Sequence, residues 1–261
     1  MELGINEKVA IVLGAGGGIG GGIALSLARE GVQVAACDIS LEAAQGTVMR
    51  GKEEGLALTP FHVRLGDHES EAQLVADVTA QLGRIEILVN NTGGPPPTPV
   101  AGVPLEVWRE YFESMVASVF HLTDLVLPGM KEEGWGRIVT STSSGVIVPI
   151  ANLGISNALR SSLVAWSKTL SAEVGRHGIT SNVVAPGRIA SKRAVEIDTK
   201  RATREGRTAE DVAAASAASI PVGRYGRTDE YGDVVAFLAS TRASFITGSL
   251  IRIDGGMIPN I

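Results

Sequence analysis

Short apolar runs recur along the chain and alternate with longer segments in which apolar residues return every three or four positions. The apolar runs lie at 9–15, 32–37, 85–91, 137–143, 180–187 and 250–256. A weaker run lies at 57–65, where Pro60 lowers the strand propensity. Because apolar and polar residues do not strictly alternate within the runs, we predict strands that are covered on both faces, as in a parallel sheet.

Helical segments fill the intervals between these runs, at 19–30, 69–82, 104–130, 152–176 and 229–240. This alternation predicts an α/β protein with a doubly wound, mainly parallel sheet of seven strands. The sequence "GGPPPTPV" at 93–100 is interpreted as a stiff loop, so that residues 1–261 form a single domain. A charged segment at about 188–222 interrupts the rhythm between two strands and predicts a lid over the substrate.

Composition excludes several classes of protein. The 261 residues are 44% hydrophobic and carry a net charge of −5, with acidic and basic residues mixed along the chain, so charge indicates no nucleic-acid and no membrane partner. Cys37 is the single cysteine, which excludes an internal disulfide and is typical of a reducing compartment. No signal-peptide pattern and no membrane-length apolar run is present. We expect a soluble, cytoplasmic protein.

The sequence "GAGGGIG" at 14–20 follows the first predicted strand and opens the first predicted helix. Small residues at such a turn let the backbone approach a phosphate, and the helix N-terminus attracts its negative charge. Asp38 ends the second predicted strand, where an acid hydrogen-bonds the ribose hydroxyls of a dinucleotide and repels a 2′-phosphate. Arg29 is the only basic residue between Gly14 and Asp38. The pattern predicts NAD(H) in preference to NADP(H).

Taken with three further motifs, this pattern resembles the short-chain dehydrogenases/reductases, and within them the 3-oxoacyl-[acyl-carrier-protein] reductase-like branch. The further motifs are "NNTG" at 90–93, "APG" at 185–187 and "ITGSLIRIDGG" at 246–256. The resemblance covers essentially the whole chain. It implies a single-domain Rossmann fold and a homotetramer with the helices at 104–130 and 152–176 at one interface.

The resemblance also implies the residues that contact the cofactor. They are Gly14, Gly18, Ile19, Gly20, Asp38, Arg64, Asn90, Gly93, Pro186, Gly187, Ile189 and Ser191. Two positions depart from the family pattern. Leu13 stands where the family has a Thr, and Arg64 stands where an Asp normally meets the adenine amino group, so that the arginine could stack on the ring instead.

The implied catalytic positions depart further. Ser143 falls on the family's catalytic Ser, but Ser156 and Arg160 in "SNALR" fall on its Tyr and Lys, and Met115 falls on its Asn. A tyrosine beside a Lys⁺ can donate a proton near neutral pH, whereas a serine hydroxyl is several pKa units less acidic. Arg160 keeps a positive charge but cannot release a proton. We predict a site that binds cofactor and polarises an oxyanion without the usual proton relay.

Three functions remain open at this stage. The first is an NAD(H)-dependent oxidoreductase that interconverts a carbonyl and an alcohol: Ser143 and Ser156 orient the carbonyl, Arg160 stabilises the developing negative charge, and water or another residue supplies the proton. The second is a catalytically weak or inactive homologue that acts as a nucleotide-binding regulatory or scaffold protein. The third is a non-redox reaction on an anionic substrate held by Arg160. Ser156 is also open to interpretation as a helix N-cap.

The remaining polar residues suggest less specific roles. Residues 188–211 hold seven basic and five acidic side chains, which form either a solvated helical face or a lid that recruits an acidic ligand such as a carboxylate, a CoA thioester or an acyl carrier protein. Tyr111 is expected to pack at an interface. His121 is expected on a helix face, and His68 shows no sequence spacing typical of a metal ligand, so no metal site is predicted.

Overall fold

Seven strands form one parallel sheet in the computed structural model, which describes residues 2–260. The strands are β1 (Val9–Leu13), β2 (Gln33–Asp38), β3 (Leu58–His62), β4 (Ile85–Asn90), β5 (Gly136–Ser141), β6 (Ile179–Pro186) and β7 (Leu250–Ile253). Their order in space is β3-β2-β1-β4-β5-β6-β7, and every neighbouring pair is parallel. The predicted doubly wound fold is confirmed.

Helices cover both faces of this sheet. They are α1 (Gly18–Arg29), α2 (Leu41–Glu53), α3 (His68–Leu82), α4 (Leu105–Phe112), α5 (Ser118–Glu133), α6 (Gly154–Val174), α7 (Lys192–Glu205), α8 (Ala209–Ala218) and α9 (Thr228–Leu238). A π-helical turn at Glu113–Ala117 joins α4 to α5, so the segment predicted as one helix at 104–130 is nearly continuous but locally widened. No helix among residues 2–260 has the length and apolar character needed to cross a bilayer.

Helix α2 was not predicted from the sequence. Its buried residues are Ala44, Thr47 and Gly51, which are all small, so the helix lacks the apolar stripe that reveals the others. The Ser40 hydroxyl accepts a hydrogen bond from the Ala43 backbone N–H at 3.2 Å and caps the helix. Ser40, a residue type that favours helix N-caps, was therefore the sequence signal that could have predicted the start of α2.

The position of β3 explains how a strand contains Pro60. This strand lies at the edge of the sheet and pairs with β2 alone, where Ala36 faces Pro60. An edge strand has one side without a hydrogen-bond ladder, so it tolerates a residue that has no N–H. The weak run at 57–65 thus forms a complete strand.

The sheet separates two apolar cores, which explains why its strands do not alternate apolar and polar residues. Ile11 and Val12 follow each other in β1, and both are 0% exposed. Val12 packs with α1 and α9, whereas Ile11 packs with α3 and α5 on the other face. Because all strands run in one direction, the loops after β1, β2, β4, β5 and β6 meet at one edge of the sheet. The functional residues predicted from the sequence lie at the ends of these strands, in the loops that follow them and in the next helices, apart from Arg64, which follows β3.

Candidate active site

A glycine turn connects β1 to α1 at the centre of this edge. Gly14 has φ 62°, a left-handed conformation that favours glycine. A Cβ on Gly20 would overlap the Gly14 carbonyl oxygen, so only glycine allows the helix to begin this close to the turn. Gly17 precedes α1 and has no side chain to cap it. The first N–H groups of α1 are therefore left to a ligand, and an anion is the group they suit.

Asp38 lies directly beside the glycine turn. Its Oδ2 accepts a hydrogen bond from the Gly16 backbone N–H at 2.9 Å, and its Oδ1 accepts one from the Ser40 N–H at 3.0 Å. The carboxylate is half-buried, and each oxygen keeps capacity for a second donor such as a ribose hydroxyl. Arg64 is exposed two residues beyond β3, and its backbone N–H donates to the Ser70 hydroxyl at 3.0 Å. Since β3 pairs with β2, Arg64 lies near the end of the strand that carries Asp38.

The end of β4 closes the turn from the other side. The Asn91 side-chain amide donates to the Leu13 carbonyl at 3.2 Å, which ties β4 to the turn after β1. Asn90 is fully buried, and its Nδ2 donates to the Thr140 hydroxyl at 3.4 Å. The Oδ1 of Asn90 and the hydroxyl of Thr92 are buried and have no hydrogen-bond partner among residues 2–260. Buried polar atoms are normally paired, so these two atoms indicate a place where a ligand or water binds.

The residues expected on the nicotinamide side follow β6. The Gly187 N–H donates to the Ile253 carbonyl at 2.9 Å, and a Cβ at Gly187 would come within 2.6 Å of the Asp254 Cα. Pro186 ends β6 and is half-buried, whereas Ile189 is buried. Ser191 lies opposite the glycine turn, since a Cβ on Gly18 would meet the Ser191 Cβ at 3.5 Å. The structure therefore brings this segment and the glycine turn together. The predicted cofactor residue Ile19 is partly buried in the apolar core beneath α1.

Arg160 is buried at the centre of the predicted catalytic site, with 8% of the residue exposed. Its Nη2 donates to the carbonyls of Thr92 at 3.0 Å and Gly93 at 2.8 Å, and its Nη1 donates to the Ser141 carbonyl at 3.2 Å. Arg160 thus joins α6 to the ends of β4 and β5. No carboxylate pairs with it among the described residues. Burial lowers the pKa of its guanidinium to about 10, so the group stays charged at neutral pH.

The two predicted catalytic serines flank this buried cation in the fold. Ser143 follows β5, and its half-buried hydroxyl accepts a hydrogen bond from the Gly145 N–H at 3.0 Å. Ser156 lies in the first turn of α6, four residues before Arg160 and therefore on the same helix face. Its half-buried hydroxyl forms no hydrogen bond within residues 2–260, which leaves it to a ligand or solvent. The N-cap interpretation of Ser156 is wrong because α6 begins at Gly154 after Leu153.

Met115 places an apolar side chain at the position where the family resemblance implies an Asn. It lies in the π-helical turn, is 1% exposed and packs with Ile155 and Leu159 of α6. Tyr111 is half-buried against the same cluster. Within residues 2–260, neither the Met115 nor the Tyr111 side chain forms a hydrogen bond with Ser156 or Arg160.

Tyr231 is a residue of the site that sequence reasoning missed. It lies on α9 and is fully buried, with its hydroxyl 3.0 Å from the Ser141 Oγ and 3.3 Å from the Val184 carbonyl that it donates to. Burial raises the pKa of Tyr231, and the Ser141 hydrogen bond and the Arg160 charge offset only part of that rise. The tyrosine therefore supports β5 and β6 from below as a neutral phenol. No sequence spacing links residues this far apart, so only the fold shows the contact.

The segment predicted as a lid folds into α7 and α8. Ser191 caps α7 by accepting a hydrogen bond from the Ala194 N–H at 3.2 Å. Arg193 donates to the Pro95 carbonyl at 2.8 Å, so α7 contacts the proline-rich loop that follows β4. Asp198 is buried in α7 and pairs with Arg188 at 2.8 Å, and the Tyr225 hydroxyl donates to it at 2.7 Å. These contacts hold the segment against the body of the protein.

Comparison with known proteins identifies the family. A family model described as enoyl-(acyl carrier protein) reductase matches residues 14–258. Nodulation protein G of Azospirillum brasilense is 35% identical over 257 residues, which are 97% of this chain and 99% of the relative. The 3-oxoacyl-[acyl-carrier-protein] reductase of Escherichia coli (strain K12) is 35% identical over 254 residues, or 96% and 97% of the two chains. The chain belongs to the short-chain dehydrogenase/reductase family.

Solved structures of short-chain dehydrogenases/reductases share the architecture. L-sorbose reductase from Gluconobacter frateurii, complexed with NADPH and L-sorbose, has a TM-score of 0.94 and 28% identity, and all of both chains is covered. Actinorhodin polyketide ketoreductase with NADPH has a TM-score of 0.91 and 30% identity, over 96% of this chain and 97% of the other. The relatives support the predicted 3-oxoacyl-[acyl-carrier-protein] reductase-like branch.

The residues described above have the chemistry that a nicotinamide dinucleotide, the cofactor of the two solved relatives, requires. The uncapped N-terminus of α1 suits a pyrophosphate, Asp38 suits a ribose, and the unpartnered atoms of Asn90 and Thr92 lie at the next strand end. Both solved relatives carry NADPH, so structural likeness does not favour NAD over NADP. The choice between the two cofactors depends on residues of this chain.

Proposed function

We propose that the protein is an NAD(H)-dependent oxidoreductase that interconverts a carbonyl and an alcohol at a site formed by Ser143, Ser156 and Arg160. The observation that carries this proposal is one sheet edge that holds an uncapped glycine turn beside Asp38, two half-buried hydroxyls, and a buried guanidinium that pairs with no carboxylate among the described residues. Membership of an oxidoreductase family supports the reaction type.

Asp38 is the basis for the choice of NAD(H). Two backbone hydrogen bonds hold its carboxylate against the glycine turn, where a 2′-phosphate would meet a fixed negative charge. The neighbouring Ile39 is exposed and provides no cation to compensate for that repulsion. The cofactor supplies or accepts the hydride when it is bound.

The chain's own residues orient and stabilise the reacting oxygen. The Ser143 and Ser156 hydroxyls donate hydrogen bonds to the carbonyl oxygen, and the Arg160 charge stabilises the negative charge that develops there. Arg160 acts from a fixed position because three backbone carbonyls hold it. The proton comes from water, since the Tyr231 phenol is fully buried and holds its proton tightly. A general acid of ordinary strength contributes about 10²–10⁴-fold, so we expect slow turnover.

The lid suggests a substrate with a negative charge, such as a carboxylate, or an acyl thioester whose carrier is acidic. Arg188 and Arg193 are occupied by contacts within the protein, but Lys192 and Lys200 are exposed and form no ion pair among the described residues. The curated relatives include reductases of 3-oxoacyl thioesters, which supports the same substrate class.

A catalytically weak or inactive nucleotide-binding protein is the second candidate function. It is favoured by the use of Arg160 as a brace, because two of its nitrogens are committed to backbone carbonyls. In this case Arg160 and Tyr231 stabilise the fold, and the nucleotide has a regulatory or scaffold role.

We also propose a homotetramer. Leu105 and Phe112 are seven residues apart on one face of α4 and are 65% and 41% exposed, so a subunit interface on this face would cover both. The family resemblance assigns this helix and α6 to one interface. Light scattering at micromolar concentration should give the tetramer mass, and a monomer would contradict the proposal.

One experiment separates the two functions. NADH oxidation is measured with a panel of ketones, 3-oxo acids and 3-oxoacyl thioesters, and binding of NADH and NADPH is measured by calorimetry on the same preparation. Slow turnover with tighter binding of NADH supports the oxidoreductase. Binding without turnover across the panel supports the second candidate, and the absence of binding of either nucleotide contradicts both.

A further inference from the structure

A cluster of potential metal ligands lies outside the site described above. His68 and Glu71 are three residues apart on the first turn of α3, and His121 lies on α5, which packs against α3. One ligand atom from each of the three residues lies within 4.8 Å of the other two. The His68 and His121 rings are tilted at 42°, with centroids 4.6 Å apart. Among the described residues this is the one cluster of three such side chains.

Glu71 is the buried member of the cluster, and its side chain is 0% exposed. Its Oε1 accepts a hydrogen bond from the Gly66 N–H at 2.9 Å, and its Oε2 lies 2.7 Å from His121 Nδ1. A buried carboxylate needs such partners to offset its desolvation. The Gly66 contact also fixes the direction in which Oε2 points, as hydrogen bonds to ligating carboxylates do in metal sites.

We propose that His68, Glu71 and His121 bind a divalent transition-metal ion, with Zn²⁺ as the best match. Two imidazoles and one carboxylate form a three-ligand set that zinc accepts, with water in the fourth position. The cluster has no thiolate, which disfavours ions that require soft ligands. None of the three residues belongs to the cofactor or reaction site, so the proposal is independent of the proposed function.

Small movements bring the three ligands to zinc geometry. In a tetrahedral site with bonds of about 2.0–2.2 Å, ligand atoms lie about 3.4 Å apart. The Glu71–His121 pair must open by less than about 1 Å, and His68 must approach by less than about 1.5 Å. The His68 side chain is 54% exposed and 3.9 Å from Glu113, which is also exposed, so His68 can rotate. His121 is 29% exposed, which gives the ion a route from solvent.

The test uses tag-free, full-length protein treated with a chelator and then titrated with Zn²⁺ or Co²⁺. We expect one ion per chain by calorimetry and a visible Co²⁺ spectrum of low coordination number. His68→Ala should weaken binding at least tenfold, and because this side chain is half-exposed the variant should fold normally. Glu71→Gln should abolish the Co²⁺ spectrum. His62→Ala removes an exposed histidine outside the cluster and serves as the matched control.

Two outcomes would overturn the proposal. One is the absence of saturable binding in the unmodified protein at metal concentrations up to 100 times that of the protein. The other is equal binding by the unmodified protein, His68→Ala and Glu71→Gln, which would place the ion elsewhere. In either case the Glu71–His121 contact is a structural hydrogen bond between α3 and α5.

Discussion

Replacing Arg160 by Met should lower both stability and function. The substitution keeps an apolar stem of similar length but removes the donors for three backbone carbonyls, those of Thr92, Gly93 and Ser141. An acceptor left without a partner costs about 1–3 kcal/mol. Water can reach this edge of the sheet, so we use the lower value, which gives about 3 kcal/mol in total. For a chain of this size the Tm should fall by about 6–12 °C.

The functional effect of Arg160→Met should exceed what instability explains. Among residues 2–260, Arg160 is the buried arginine on the helix that carries Ser156, and the loss of a group that stabilises an oxyanion costs about 10²–10³-fold in turnover. The assay is NADH oxidation at 20 °C with the best substrate from the panel, on protein shown to be folded by circular dichroism. If the unmodified protein has no turnover, the affinity for NADH is compared between Arg160→Met and the unmodified protein instead of the rate.

Arg137 provides the matched control. It lies at the opposite end of β5, is 2% exposed, and donates to the carbonyls of Gly136, Gly178 and Ser240. Burial lowers its pKa to about 10, as it does for Arg160. Arg137→Met should therefore lower the Tm by a similar amount while the folded protein keeps its turnover and NADH affinity. If both variants lose stability equally and both keep function, the assigned role of Arg160 is refuted.

Four further predictions concern Asp38, Ser156 alone, Ser156 together with Arg160, and Tyr231. Asp38→Ala should remove the fixed charge at the ribose and reduce the preference for NADH over NADPH at least tenfold by calorimetry; an unchanged preference would contradict the assignment. Ser156→Ala should reduce turnover less than Arg160→Met because water can replace a weakly acidic hydroxyl, and Ser156→Tyr combined with Arg160→Lys should raise ketone reduction above the parent rate. Burial raises the pKa of Tyr231, so as pH rises above about 10 the unfolded chain releases that proton first, and the stabilisation present below pH 10 is lost by about 1.4 kcal/mol per pH unit. Urea unfolding between about pH 9 and 11 should show at least this slope. Tyr231→Phe should make the slope shallower by about 1.4 kcal/mol per pH unit above pH 10, and Cys37 and Tyr225, whose pKa values burial also raises, account for the part that remains.

The hydrophobic pattern was sufficient to predict the strands and most helices. Runs such as 9–15 and 85–91 became β1 and β4, since a strand covered on both faces needs consecutive apolar residues. The pattern did not predict α2, because the small buried residues of this helix form no apolar stripe. It predicted β3 only weakly because of Pro60, which an edge strand tolerates.

The local geometry of the predicted cofactor side was also accessible from the sequence. Gly14, Gly20 and Asp38 act through short-range geometry, in which a turn, a helix start and a strand end follow one another within 25 residues of chain. The catalytic side was accessible only in part. The spacing of Ser156 and Arg160 places them on one helix face, but it does not show that the arginine is bound by three backbone carbonyls.

The amino-acid sequence by itself determined the fold class, the glycine turn before α1 and the identity of the residues at the predicted catalytic positions, because these depend on local periodicity and on motifs with fixed spacing. The tertiary structure alone decided which groups those residues meet. Arg160 binds a carbonyl 68 residues away, Ser141 contacts Tyr231 90 residues away, and Glu71 contacts His121 50 residues away. Such contacts arise when parallel strands and their helices are packed around one sheet, and no local pattern encodes the partner of a side chain that is buried in this way.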